Sequence, residues 1–513
     1  MLLFKLPIMK TKLYILFFLT VFSITACKKT LDLNPLDQIS SSTFWKSRAD
    51  FDKALAAVYS TLQYAEFSVE APVRDCLTDN AYCQFNSGSV NSINGGNLTP
   101  SLGGLQQAIY NDSYTSIARI NILLQQLAGY QGSDMPDNVR KQLEGEVRFI
   151  RAFFYFQLYS TYGEVPLVLE PLTLETQKKP KDAAEKILAQ IIADLDYAIT
   201  NLNQNAYGQN GGHAAASSAQ ALKARVLLFT AFGNTGTPDL AILTQVRDLC
   251  QQVMGKYALT RNFEDNFRDA TQRNNTEIIF SVNYLAPNNA SSMDMYYGDW
   301  DVAAPLQNFV NTFECTDGLP YGVSPLTNTA APFTNRDPRL AKTVYVDHPD
   351  FGDGKVHFPS NPRPTGYGLL KFLEPGNIPY GFSTQSQQDV VVLRLGEVLL
   401  MFAEAQNEIQ GPDASVYKAT TDLRARVNMP AFPAGLSKEQ MRERIRHERR
   451  VELAFEGALR YYDLVRWRTA GQVLNNVRDG LQPYHFEDKF YRWPLPQTEI
   501  DKSSGILIQN PAY

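Results

Sequence analysis

EVRFIRAFFYFQLYSTY, residues 146–162, decides the fold class. Wound as a helix it is apolar nearly all the way round, through Val147, Phe149, Ile150, Phe153, Phe154, Phe156, Leu158 and Tyr159. A helix without a wide polar face is packed on several sides, and Gly163 and Pro166 end it. Working outward, the same three- and four-residue step runs through Phe51, Leu55, Val58, Tyr59 and Leu62 and predicts a first amphipathic helix there. Further helices are predicted at about 105–129, 137–162, 181–201, 215–232, 239–255, 391–410, 412–427 and 437–470. Most are joined by short links, with small residues (Ala221, Ala224, Ala403, Ala405) where neighbours would touch. That is the pattern of tetratricopeptide-like hairpins, although the repeat consensus is weak. The expected fold is mainly α: a helical-hairpin scaffold, a partial α-solenoid, with long loops and a few short strands.

Between about 256 and 390 the pattern changes. Gly, Pro, Asn and Asp become dense, and short strand-like runs occur at Glu277–Val282 and Thr343–Val346. A second long loop is DCLTDNAYCQFNSGSVNSINGGNLTP, residues 75–100. Long loops in a compact protein are where binding residues concentrate. The chain therefore divides into a leader at 1–26, a helical region at 27–255, a loop-rich ligand-binding insertion at 256–390 and a second helical region at 391–513.

Composition narrows the function. The 513 residues are 44% apolar and 20% charged, close to globular averages, and long enough for a core that needs no disulfide scaffold. There are 48 Lys plus Arg against 53 Asp plus Glu, and Lys5, Lys10 and Lys12 fall in the leader, so the remainder is more acidic still. Nothing in that balance suits a phosphate backbone, and no nucleic-acid partner is expected. Leu13–Ile24, LYILFFLTVFSI, is a charge-free run preceded by lysines, and either Met1 or Met9 could start it. It is shorter than the ~20 residues of a spanning helix and reads as a signal peptide. ITAC, residues 24–27, resembles a bacterial lipobox, in which the cysteine is acylated and becomes the first mature residue. With more than one acyl chain on Cys27 and a polar tether at 28–42, the body is expected to be held on a membrane but to stand in water. After export Cys76 and Cys83 meet conditions that permit a bridge; a disulfide and two buried thiols are equally compatible with their spacing.

Enzyme signatures are missing: there is no GxSxG, GxxxxGK[ST], HExxH or GxGxxG, since Gly352–Gly354 lacks the third glycine. The five histidines do not sit at metal-ligand spacing and no cofactor is expected; a bound calcium stays open among the many Asp and Asn side chains, although no EF-hand loop pattern is present. Glu397 and Glu404 lie about 10.5 Å apart along a helix, too far for a glycosidase pair, within a core-like run. Asp299 and Asp301, if extended, would share a side about 6.5–7 Å apart and suit an inverting glycosidase. Arg442 to Arg468 contains eight arginines, but Glu439, Glu443, Glu448, Glu452, Glu456 and Asp463 are interleaved, with Arg444 to Glu448 and Glu456 to Arg460 at the helical step. Val451, Phe455, Leu459 and Tyr462 form an apolar stripe, so this reads as one long packed helix whose arginines reach carboxylates such as Glu397 and Glu404.

At these residues the chain resembles a known family. RHERRVELAFEGALRYYDLVRW, residues 446–467, is similar to the signature helix of the SusD/RagB family of surface lipoproteins. CKKTLDLNP with FWKSRADFDKALAAVYSTL (27–62), EVRFIRAFFYFQLYSTYGEVPLV (146–168), VVLRLGEVLLMFAEAQNE (391–408) and ILIQNPAY (506–513) agree in the same order. The loop before the second helix departs from many relatives in lacking a tryptophan. The resemblance implies a tetratricopeptide scaffold bearing a ligand-binding face of loops. It further implies a non-enzymatic protein lipid-anchored to the outer membrane and facing the cell surface. Such a protein binds glycans or another nutrient and acts as lid to a SusC-like TonB-dependent transporter.

The residues fit that role on their own chemistry. A sugar ring presents an apolar C–H face and a rim of hydroxyls, which calls for a flat aromatic with amides or carboxylates around it. Tyr296, Tyr297 and Trp300 with Asp294, Asp299 and Asp301 supply both in one loop; Tyr82, Phe85, Asn86, Asn91 and Asn94 supply a second set. Trp300 is the leading candidate. The competing readings are a cell-surface scaffold that holds protein partners and a glycosidase using Asp299 and Asp301.

Overall fold

A computed structural model of the protein describes residues 44–346, 357 and 360–513. The leader, Cys27, the polar tether and Gly352–Gly354 lie outside the described residues. The scaffold is a run of helices, each packed on the next: α1 Arg48–Tyr59, α2 Leu105–Gly129, α3 Asp137–Tyr162, α4 Ala184–Asn201, α5 Ala216–Thr230 and α6 Leu240–Met254. The array continues through α7 Leu395–Gln410, which packs on α6 across the whole loop-rich insertion, and then α8 Ala414–Arg426 and α9 Lys438–Glu452. As its sequence requires, α3 is buried at every position from Val147 to Tyr162 except Arg148. One internal ion pair fixes its neighbours: Arg151 donates through Nε and Nη2 to both oxygens of Asp194 on α4 (2.8 Å each) and through Nη1 to Asn121 on α2 (3.1 Å). The expected small contacts Ala221 and Ala224 on α5 and Ala403 and Ala405 on α7 are fully buried, and both helices pack on α6.

Three two-stranded antiparallel ladders decorate this frame. β1 Ala81–Cys83 pairs with β3 Ala303–Pro305, β2 Ile278–Val282 with β6 Val390–Arg394, and β4 Val344–Val346 with β5 Tyr367–Leu369. The predicted helix at 391–410 is corrected by β6: its first residues are a strand, and the helix begins only at Leu395. Val390, Val391 and Val392 are β-branched and prefer the pleated pairing that β2 offers.

The predicted helix at 437–470 is broken after Glu452 and resumes as α10 Leu459–Arg466. Phe455 (φ 65°) and Gly457 (φ 75°) take left-handed backbone there. Side chains from elsewhere hold the freed backbone groups. Lys371 Nζ donates to the carbonyls of Glu452 (3.2 Å) and Ala454 (2.9 Å), and the Phe455 N–H donates to Asp75 Oδ2 (2.7 Å). Arg446 and Arg466 do pair along their own helices, with Glu443 (3.3 Å) and Asp463 (2.8 Å), but the expected pairs Arg444 to Glu448 and Glu456 to Arg460 do not form. Arg444 reaches Glu314 (2.8 Å), Glu448 is shared by Arg339 (2.6 Å) and Arg424 (2.8 Å), Glu456 takes Lys371 (2.6 Å) and Arg394 (2.6 Å), and Arg460 takes Asp79 (3.0 Å). Glu404 does receive Arg466 (2.6 Å) from α10, whereas Glu397 is taken by Arg225 (2.6 Å) of α5. Buried carboxylates need a permanent charge within hydrogen-bond reach, and the nearest ones come from neighbouring elements. This network ties the insertion to the scaffold: Arg394 alone contacts Glu277, Glu452 and Glu456 at 2.8, 2.7 and 2.6 Å. Burial would raise Glu452, but Arg426, Arg394 and Arg339 hold it well below the ordinary carboxylate range.

Candidate functional site

The pairing of β1 with β3 brings the two predicted loops together. Gln84 N–H extends the ladder by donating to the Val302 carbonyl (3.0 Å), which places Phe85 beside Trp300 with ring centroids 6.5 Å apart, edge to face. Trp300 follows a π-helical turn, Met295–Asp299, closed by its own N–H to the Met295 carbonyl (2.9 Å). That turn stacks Tyr296 against Trp300 at 5.4 Å and 35°. A fourth ring, Phe382, meets Trp300 edge-on at 5.3 Å. Phe382 is 83% exposed and Phe85 49% exposed, while Trp300 and Tyr296 are partly exposed. Exposed aromatics grouped around a tryptophan are a platform rather than a core.

The other predicted residues hold that platform in place. Tyr297 is fully buried and donates to the Val69 carbonyl (2.7 Å), and Tyr296 donates to Glu70 (3.0 Å). Asp294, also fully buried, accepts from Glu374 N–H (2.7 Å), Asn377 (2.7 Å), Ser386 (2.6 Å) and Gln388 (3.1 Å). Asp299 accepts from the Ser360 N–H (2.9 Å). Asp301, at φ 50° and 0% exposed, accepts from the Tyr345 hydroxyl (2.6 Å) and so fastens the end of the turn to β4. Burial, against the Tyr345 donor and the Arg363 charge, pushes the Asp301 carboxyl up to about 7. Tyr297, Asp294 and Asp301 thus offer no surface to a ligand; they position Trp300. The extended geometry expected for Asp299–Asp301 is also replaced by the π-turn, and both carboxylates are buried on separate partners, so the two do not face one cleft.

In the second loop Tyr82 is partly exposed on β1 and Asn86 is exposed. Asn91 is buried: its Nδ2 donates to the Cys83 carbonyl (2.7 Å), and its N–H donates to Asn86 Oδ1 (2.9 Å). Asn94 Nδ2 donates to the Cys76 carbonyl. Cys76 and Cys83 stand as buried free thiols in contact, Cys76 donating to Cys83. Burial pushes Cys76 well above the ordinary thiol value, while that hydrogen bond lowers Cys83. Sequence reasoning missed Phe382. Its segment, NIPYGFST, has no hydrophobic period, and the available signal was an isolated aromatic between Gly381 and Ser383 in a turn-rich stretch. Among the described residues no cluster of three or more His, Cys, Asp or Glu is arranged to hold a metal ion.

Comparison with known proteins places this geometry. The model for the SusD family matches residues 262–513, and a second model, described as starch-binding associating with outer membrane, matches residues 30–228. The chain belongs to the SusD/RagB family. A SusD-like protein of Formosa agariphila is 24% identical, with 98% of this chain and 99% of that protein aligned. Among solved structures, a SusD-like protein of Bacteroides fragilis superposes with a TM-score of 0.78 at 25% identity, covering 94% of this chain and 100% of that one. A laminarin-binding SusD-like protein superposes at 0.72 with 22% identity, covering 91% of this chain and 100% of that one. These likenesses agree with the helical scaffold described above. Among the described residues no helix is long and apolar enough to cross a membrane.

Proposed function

We propose that this protein binds oligosaccharides on the aromatic platform of Phe85, Tyr296, Trp300 and Phe382 and does not turn them over. The observation that carries the proposal is the exposed ring cluster built by three segments far apart in sequence, with the turn that carries Trp300 held by Asp294, Asp299 and Asp301. Flat, partly exposed rings suit the C–H faces of pyranoses, and exposed Asn86 stands at the edge for their hydroxyls. The starch-binding description of one matching family model and the laminarin-binding neighbour support a glucan among the ligands. Acylation at Cys27 would anchor the protein on the outer membrane, facing outward, and a SusC-like TonB-dependent transporter would receive the bound sugar, with this chain as its lid. A panel of soluble oligosaccharides followed by tryptophan fluorescence and calorimetry tests the reading. Reversible saturation without new reducing ends is expected. Failure of every glycan to bind while a transporter co-purifies would instead favour the protein-interaction scaffold, and accumulation of reducing ends would favour catalysis.

A further inference from the structure

In the loop that supplies Phe85, two thiols are brought together by the backbone around them. Cys76 lies in the short helical turn Ala71–Leu77, and Cys83 ends β1, which packs on that turn. Asn91 Nδ2 donates to the Cys83 carbonyl (2.7 Å), and Asn94 Nδ2 donates to the Cys76 carbonyl. Asn91 and Asn94 stand three residues apart in the helical turn Val90–Asn94. Side chains at that step share one face, with Cβ atoms about 5–6 Å apart. One face of one helical turn therefore holds both cysteine backbones side by side. The sulfurs meet between them, the Cys76 thiol donating to Cys83 Sγ. Converging side chains on neighbouring backbones are what a disulfide requires.

Cys83 is the better nucleophile of the two. Its sulfur accepts from the Ser87 N–H (3.2 Å) as well as from the Cys76 thiol, and both donors stabilise a thiolate there. We propose that Cys76 and Cys83 form an oxidation site that closes to a disulfide when the chain meets an exchangeable small-molecule or protein disulfide. The Cys83 thiolate attacks that reagent and one of its sulfurs leaves as a thiolate; Cys76 then gives up its proton and displaces the second from Cys83. One S–S bond breaks and one forms, the two cysteines are oxidised, and the reagent departs as two thiols carrying the protons of the pair. Both cysteines are 0% exposed. The exchange therefore runs while the 75–100 loop is open, and the closed loop shields the finished bridge from reductant. The bridge would fasten β1, and with it the strand end that delivers Phe85, to the Ala71–Leu77 turn. Its formation does not depend on the platform binding a sugar.

Mass mapping tests this directly. The protein is equilibrated with a glutathione redox buffer in moderate urea, so that the loop can open, and is then fully unfolded with excess iodoacetamide and digested. Cys76 and Cys83 are expected unlabelled and lighter by two hydrogens, with label on Cys250 and Cys315, the other buried thiols. Label on all four, or glutathione left on either of the pair, overturns the proposal. The melting temperature should rise by a few degrees from reduced to oxidised buffer, and the Cys76→Ala, Cys83→Ala double variant should lose that rise. An equal response in both proteins also overturns it. Should the double variant fail to fold, the mass map of the unmodified chain decides alone.

Discussion

Replacing Asp301 with Asn should make the protein gain stability relative to wild type as pH rises. The carboxyl ordinarily titrates at 3.8, and burial in the folded protein moves it to about 7. Between those values the folded state binds a proton that the unfolded chain has released, so wild-type stability falls as pH climbs through this window and levels off above it. Each pH unit of separation is worth about 1.4 kcal/mol, so the full cost reaches about 4 kcal/mol. Asn cannot ionise, and its carbonyl can still accept from Tyr345, which in wild type bonds Asp301 at 2.6 Å. Urea unfolding of both proteins should therefore give a stability difference that grows in favour of Asp301→Asn between about pH 4 and pH 8. Glu66, pushed up to about 8, and Asp75 and Asp389, each pushed up to about 6 by burial, slope the same way. They are present in both proteins and cancel in the difference. Parallel stability curves across the range would refute the placement of Asp301 as a buried carboxyl carrying the turn behind Trp300.

Two further substitutions probe the supports. Arg394→Met leaves Glu277, Glu452 and Glu456 short of their shared cation and should lower stability by about 3–5 kcal/mol, read from the urea midpoint; a loss below about 1 kcal/mol, as for an exposed pair, would contradict the buried network. Gly298→Ala puts a methyl into the Tyr380 ring packed on the π-turn, so the turn must shift at a cost of about 1–3 kcal/mol. The tryptophan emission of the folded protein should move with it, and an unchanged spectrum would contradict the close packing.

Much of the scaffold was legible because helical burial is periodic. Phe51, Leu55 and Val58, or the all-round apolar α3, state their packing within a few turns of chain. The departures came from distant partners. Val390–Val392 became a strand because β2 stood ready to pair with it, and the long C-terminal helix broke at Phe455 because Lys371 and Asp75 took its backbone groups. Gly457 was the only local signal of that break. The arginines were recognised as neutralised, but most of their partners, such as Glu314 for Arg444 and Asp79 for Arg460, lay on other elements, where i to i+4 spacing carries no information. At the site, both loops were singled out from their aromatics, yet nothing local revealed that β1 and β3 would join them. The same short sequence, YYGDWD, held residues of two kinds: Tyr296 and Trp300 face outward, while Tyr297 and Asp301 are buried supports. Alternation in an extended strand would have split them the same way, so the residue pattern by itself does not tell a strand from the π-turn that forms.

Calorimetric titration of the best-binding oligosaccharide into wild type, Trp300→Ala and Phe382→Ala tests the central claim most directly. Both rings are accessible parts of one platform, so each variant should keep its melting temperature within a few degrees while affinity falls, by at least about tenfold for Trp300→Ala. Unchanged affinity in a folded Trp300→Ala protein would contradict the account.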